Sequence, residues 1–302
     1  MAGDHLNVSA MIKMTLSMAI FGSIGFFTIQ TGIPAVELVF VRCICATLFL
    51  GGLWLLLKQH KTEIWQRREV VRTMICGIFL VLNWVFLFKA FEVMSITVSI
   101  TLYNLAPIFV LILGTLFLKE RMSFTSLAAI IVCFLGSMLI IGTQNVQSWA
   151  DFTGSGFGWA LLSAFCYAMT MLLGKGITHL SAYSTTFIQT TIGIIMLLPF
   201  IDFSVFNGLT MSNWGYILGT GLIHTGFVYY LFFDSLRKLP TSVISALVFV
   251  DPVVAILLDT VILDFRPTFL QAAGIVLIFG GIIYTIWKPE RKTAELTQEK
   301  IV

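Results

Sequence analysis

Residues 97–142 read TVSITLYNLAPIFVLILGTLFLKERMSFTSLAAIIVCFLGSMLIIG, and residues 242–287 read SVISALVFVDPVVAILLDTVILDFRPTFLQAAGIVLIFGGIIYTIW. Laid side by side at an offset of 145 residues, the two stretches agree without a gap at 13 of 46 positions. Pro107 falls on Pro252, Arg121 on Arg266, Phe124 on Phe269 and Gly136 on Gly281. Apolar composition raises chance identity, but it does not put a proline, an arginine and a glycine in one register. The same offset pairs Ala19 with Ala164 and Phe88 with Phe233. The chain reads as two copies of one unit.

Each copy is too apolar for water. Of 302 residues 58% are hydrophobic and 11% charged, with a mean hydropathy of +0.97; a soluble domain carries about 25% charged residues. A helix needs about 20 apolar residues to cross the hydrocarbon layer. Crossings are therefore expected near 12–30, 35–57, 73–91, 97–118, 123–142, 157–177, 183–200, 213–234, 241–263 and 267–287. This predicts an all-α membrane protein of ten transmembrane helices. The repeats, 12–142 and 157–287, would each hold five. An odd number inverts the second copy relative to the first, so the pattern is two inverted five-helix repeats. Such repeats place a pseudo-two-fold axis in the membrane plane and a substrate site near mid-bilayer between the halves.

Basic residues set the orientation. With the N-terminus inside, the inner connections receive Lys58, Lys61, Arg67, Arg68, Arg72, Lys119, Arg121, Lys175, Arg237 and Lys238, whereas the outer ones receive Arg266. The 143–156 and 201–212 connections contain Asp151 and Asp202 but no Lys or Arg. A bacterial inner-membrane protein with both termini cytoplasmic follows, and 288–302 becomes a cytoplasmic tail. The first apolar segment has a counterpart in the second half, which argues against a cleaved signal. A net charge of +3 with no basic cluster gives no argument for nucleic acid. The five cysteines (43, 45, 76, 133 and 166) all lie in apolar runs and read as packing; the pair at 43 and 45 lacks the further ligands of a zinc site. No nucleotide-binding or hydrolase motif occurs, so neither an enzyme nor a cofactor is expected.

The residues that carry a family likeness lie in both halves: W-V-F-L-F-K-A-F from 84, L-A-P-I-F from 105 and L-F-L-K-E-R from 116, then H-T-G-F-V-Y-Y from 224, L-P-T-S from 239 and D-P-V-V-A-I from 251. The chain resembles the EamA-type carriers of the drug/metabolite transporter superfamily over nearly its whole length. L-Y-N-L-A-P (102–107) and H-T-G (224–226) are most similar to its amino-acid exporter branch, aromatic amino-acid exporters included. Asp264-Phe265 and Asp234 depart from the family pattern. The resemblance implies a secondary transporter that exports amino acids or related small metabolites by alternating access, with membrane lipid around it and its oligomeric state open. A carrier of cationic drugs or quaternary amines is the alternative on the same fold. A non-transporting membrane enzyme or scaffold is the alternative from another class.

Polar groups inside the bilayer nominate the site, because an ionisable side chain at the centre costs about 2.5–3.5 kcal/mol on insertion scales. Asp251 precedes Pro252, which removes the usual partner of the Val248 carbonyl; the pair suits an ammonium group or a proton, unless Asp251 pairs with a neighbouring helix. Pro107 does the same near Tyr103 and Asn104, and both prolines are candidate hinges. Asn104 serves either a substrate or a helix–helix bond. His224 is a candidate proton relay or a helix–helix bond, with Tyr229 and Tyr230 further along. Trp84, Phe88 and Phe91 share one helix face beside Asn83 and either stack on cargo or pack. Tyr167 and Gln189 complete the candidates. Arg42 could receive a carboxylate, but pairing with Glu37 while reaching outward is the favoured expectation. Lys89 and Glu92 read as a boundary ion pair, and Asp259 and Asp264 as part of an exit path. No metal site is expected.

Overall fold

The computed structural model describes residues 7–93, 96–118, 124–141, 155–262, 266 and 268–287, and every regular element among them is helical. Lys119, Arg121, Asp151, Asp264, the side chain of Asp259 and the 288–302 tail lie outside the described set. Six helical spans are long and apolar enough to cross a membrane: Val8–Thr31, Ala35–Leu56, Arg67–Val93, Gly156–Lys175, Ala182–Phe200 and Met211–Leu236. Shorter apolar helices at Ala106–Leu116, Leu127–Leu139, Thr241–Ala255 and Phe269–Thr285 lie where the other four crossings are expected. The protein is an all-helical membrane protein.

Several spans are broken rather than continuous. The first divides into α1 (Val8–Phe21) and α2 (Ile24–Thr31). Its break falls at Gly22–Ser23, where a Cβ on Gly22 would stand 2.6 Å from the Asp251 carbonyl oxygen. Only glycine lets the two backbones approach so closely. Helices α3 (Ala35–Leu56) and α4 (Arg67–Val93) follow unbroken. Helix α4 starts six residues before the apolar run at 73, because its first turn is polar and a hydropathy window excludes it. Next come α5 (Ile96–Tyr103), α6 (Ala106–Leu118), α7 (Phe124–Ile141), α8 (Ser155–Lys175) and α9 (Ala182–Leu197). The eighth span joins α10 (Met211–Gly219) to α11 (Val228–Leu236) through a π-helical segment, Thr220–Phe227. The chain ends with α12 (Thr241–Leu247), α13 (Val250–Ile262) and α14 (Phe269–Trp287).

Pro107 and Pro252 stand in the first turns of α6 and α13, where a missing N–H breaks no helical bond. They start new helices instead of kinking continuous ones. The Val248 carbonyl, expected to be free, accepts from the Asp251 backbone N–H at 3.2 Å. The tighter turn closes over the missing bond.

Contacts between the halves fall in pairs related by the 145-residue offset. Helix α4 packs along α8, and its counterpart contact joins α1 to α11. Helices α3 and α9 pack together, as do α7 and α14, each pair being corresponding elements of the two halves. Small residues mark these crossings, since helices in lipid associate through close packing. A Cβ on Gly136 would lie 2.7 Å from the Gly274 carbonyl oxygen, and one on Gly193 would lie 2.6 Å from Cys43 Sγ. All five cysteines are free and buried; Cys43, Cys45 and Cys133 face glycines across helix crossings.

Candidate functional site

The helix breaks surround one cavity. Helix α4 presents Trp84, Leu87 and Phe88 on a single face, and α3 contributes Arg42. Tyr103 closes α5, Tyr167 comes from α8 and Tyr229 from α11. Val248 and Asp251 flank the turn between α12 and α13, and Phe21 and Ile24 flank the break in the first span. The enclosed volume is about 50 Å³, room for a few water molecules and not for a metabolite.

Its aromatic wall is held by specific contacts. Trp84 Nε1 donates to the Tyr229 hydroxyl at 2.8 Å, and the two rings meet edge to face at 5.1 Å, as Phe21 and Tyr229 do at 5.0 Å. Tyr103 stacks on Tyr167 with centroids 5.3 Å apart. Arg42 has none of its surface exposed to solvent. Its guanidinium lies 5.0 Å from the Trp84 ring centre and 5.3 Å from that of Phe88. Nε donates to Thr225 Oγ1 at 2.8 Å, and that hydroxyl donates to the Thr220 carbonyl within the π-helical segment at 3.0 Å. Both terminal guanidinium nitrogens are buried without a hydrogen-bond partner among the described residues. The Asp251 carboxylate enters no hydrogen bond or ion pair among the described residues.

The two faces of the molecule differ in access. Toward the 32–34 connection a wider hollow of about 220 Å³ is lined by Thr28, Pro34, Leu38, Phe91 and Glu92, among others, and Phe88 belongs to both its wall and that of the central cavity. Phe88 is the one lining residue that the two share. The opposite face is sealed by polar contacts across the halves. The Glu69 carboxylate accepts backbone N–H groups of Thr178, His179 and Leu180 at 3.0–3.2 Å, and His179 Nδ1 lies 2.8 Å from it. Glu63 accepts from the backbone N–H and hydroxyl of Ser181, the Ser184 hydroxyl and Trp54 Nε1. Arg72 donates to the Gly176 carbonyl and Arg237 to that of Leu180. Asp234 pairs with Lys13 at 2.5 Å and Lys238 at 2.7 Å.

Of the residues singled out in the sequence, Trp84, Phe88, Tyr103, Tyr167, Tyr229 and Asp251 line this cavity. Asn83, Asn104 and His224 are placed elsewhere. Asn83 Nδ2 donates to the Ser163 carbonyl at 2.9 Å and Asn104 Nδ2 to the Ser137 hydroxyl at 2.7 Å. His224 Nε2 is 2.8 Å from the Ser23 hydroxyl, and the ring packs on Phe27. Gln189 Nε2 donates to Cys76 Sγ, and Tyr230 packs on Tyr183. Phe91 sits in the wider hollow.

Two expected ion pairs are absent among the described residues. Arg42 does not join Glu37, whose carboxylate accepts the Asp202 N–H at 3.3 Å, and Glu92 accepts the Ala35 N–H at 3.1 Å in place of Lys89. Arg42 was not recognised as a wall residue because its partner, Thr225, lies 183 positions away on a segment whose π geometry the sequence does not announce.

Comparison with known proteins names the fold. The family model described as the EamA-like transporter family matches residues 8–142 and 154–287. The chain belongs to the EamA-like transporter family. This EamA-like protein is a membrane transporter and not an enzyme. It is 54% identical to the uncharacterized transporter YxxF of Bacillus subtilis (strain 168), over 96% of this chain and 93% of that one. It is 25% identical to the pseudopaline exporter CntI of Pseudomonas aeruginosa, over 63% of this chain and 65% of the relative. A protein of known crystal structure shares the EamA-like fold with a TM-score of 0.75 at 15% identity, covering 92% and 96% of the two chains.

Proposed function

We propose that the protein is a secondary carrier that exports amino acids or related small metabolites by alternating access across the bacterial inner membrane. Ten crossings in two inverted repeats would enclose the central cavity as the substrate site. One observation carries this reading: a cavity walled by both halves shares Phe88 with a wider hollow on one face, while polar contacts join the halves at the other face. That asymmetry is what one state of an alternating cycle requires, with the hollow facing outward and the seal inward, on the side where the basic connections fall. The offset-related contacts α4–α8 and α1–α11 support an inverted repeat, in which exchanging the two packings produces the opposite state. One relative bears the name of an exporter. Asp251, and His224 beside the break in the first span, are the candidates for charge or proton coupling, and Gly22–Ser23 joins Pro107 and Pro252 as a candidate hinge. The aromatic surroundings of Asp251 favour the second reading, a carrier of cationic drugs; Arg42 in the same wall opposes it. In proteoliposomes, radiolabelled amino acids should undergo counterflow driven by the same unlabelled amino acid. Absence of flux for all twenty rejects the amino-acid assignment.

A further inference from the structure

Arg42 holds a donor set that the protein itself does not use. A guanidinium has five N–H donors; here Nε is bonded to Thr225, while both terminal nitrogens are buried and unpartnered. The aromatic contacts do not satisfy them. Trp84 and Phe88 interact with the guanidinium through their ring faces, which supply no lone pair to an in-plane N–H. The Nε bond and the two rings fix the group's orientation, and Arg42 belongs to the lining of the cavity with its fork unused. A buried charge left unpaired is strongly unfavourable, and the nearest acidic residue on α3, Glu37, is engaged with Asp202.

The same wall holds the opposite charge, also unpartnered. Asp251 sits in the first turn of α13, and no ion pair joins it to Arg42. A purely cationic cargo would satisfy Asp251 and leave Arg42 buried, unpaired and repelling it. A purely anionic cargo would do the reverse. A molecule bearing both charges satisfies both and leaves the loaded site near neutrality, the condition for moving charge through a low-dielectric core.

We propose that the cavity is a zwitterion site, in which the Arg42 fork receives a carboxylate of the cargo bidentately and Asp251 receives its ammonium group. This rests on the carrier reading above and narrows its cargo: quaternary amines and lipophilic cations without a carboxylate are excluded. Tyr103, Tyr167 and Tyr229 line the same cavity and take the part of the cargo that carries neither charge.

The test uses the purified full chain in lipid nanodiscs and matched triads of ligands. One triad is L-leucine, 3-methylbutylamine and 4-methylpentanoate; another is L-phenylalanine, 2-phenylethylamine and 3-phenylpropanoate; a third is L-glutamate, 4-aminobutyrate and glutarate, in which two members carry both charges. Affinity is read from ligand-dependent thermal unfolding. A charge-assisted bond gained on each side predicts that, in at least one triad, the members carrying both an ammonium group and a carboxylate bind about 10- to 100-fold tighter than those carrying charge of one sign only. This comparison needs only the wild type, so a variant that fails to fold does not remove it. Arg42→Gln should bring the zwitterion down to the amine, Arg42→Lys should restore part of the preference, and Asp251→Asn should bring it down to the acid. Equal binding of amine and zwitterion, a preference that survives Arg42→Gln, or no stabilisation by any member overturns the proposal. In sealed proteoliposomes, access of an impermeant reagent to a thiol at Leu87→Cys from each membrane face then separates the two failures: access from both leaves the carrier standing and removes only its cargo, whereas access from one face removes the carrier itself.

Discussion

The sealed face and the central cavity both gather charged groups, yet they treat their carboxylates in opposite ways. At the seal, every oxygen of Glu63 and Glu69 accepts hydrogen bonds from the 178–184 region, and Asp234 holds two lysines. In the cavity, the terminal nitrogens of Arg42 and the carboxylate of Asp251 have no partner among the described residues. An unsatisfied group in lipid costs free energy that a structural role never recovers. The bonded carboxylates of the seal hold this molecule in one state, whereas the two unbonded charges of the cavity are kept for something that binds. Asn104 and His224 fall on the satisfied side of that division, and Asn83 is bonded through Nδ2 alone, its Oδ1 being buried without a partner among the described residues.

The division is broken or sharpened by mutation. The largest effect belongs to the cavity: Asp251→Asn and Arg42→Gln should each lower the initial transport rate about 10- to 100-fold, the weight of one charge-assisted bond to cargo, while the melting temperature holds or rises. Rates in proteoliposomes and unfolding curves on the same preparations check this; a collapse in stability would show that the charges are structural after all. At the seal the reverse is expected. Glu69→Gln weakens bonds to three backbone N–H groups and to His179 and should cost about 1.5–3 kcal/mol of stability, seen as a lower melting temperature and faster labelling of that face. Asn104→Ala, which removes only the bond to Ser137, should cost about 0.6–1.7 kcal/mol and leave the affinity for cargo unchanged in equilibrium binding. The smallest change is Lys238→Ala, because the pair with Asp234 is partly exposed and Lys13 remains; about 0.2–1 kcal/mol is expected, with transport rate unaltered.

Much of this architecture was legible in the sequence. The six long spans follow from apolar runs, the family follows from motifs such as D-P-V-V-A-I at 251, and six of the cavity residues were visible as polar or aromatic interruptions of those runs. The breaks were harder to read. Pro107 and Pro252 signalled them, but a proline in a first turn and a proline in a mid-helix kink look the same without the neighbouring carbonyls. Gly22 gave no signal, since its significance lies in how near Asp251 comes. Arg42 was misjudged for a related reason. Its distance along α3 is compatible with reaching the membrane surface, and only the Thr225 bond and the Trp84 and Phe88 rings turn it inward. Local pattern reports which groups are polar; partnership across 183 residues decides which are satisfied.

Access to the cavity tests the central claim most directly. With the protein in sealed proteoliposomes of uniform orientation, a membrane-impermeant maleimide is applied from one side and then the other to the Leu87→Cys variant, with the wild type as control for its buried thiols. A cavity that opens alternately predicts labelling from both faces, at rates that shift in opposite directions when the Glu69 seal is weakened. Labelling from a single face, unchanged by Glu69→Gln, would contradict it.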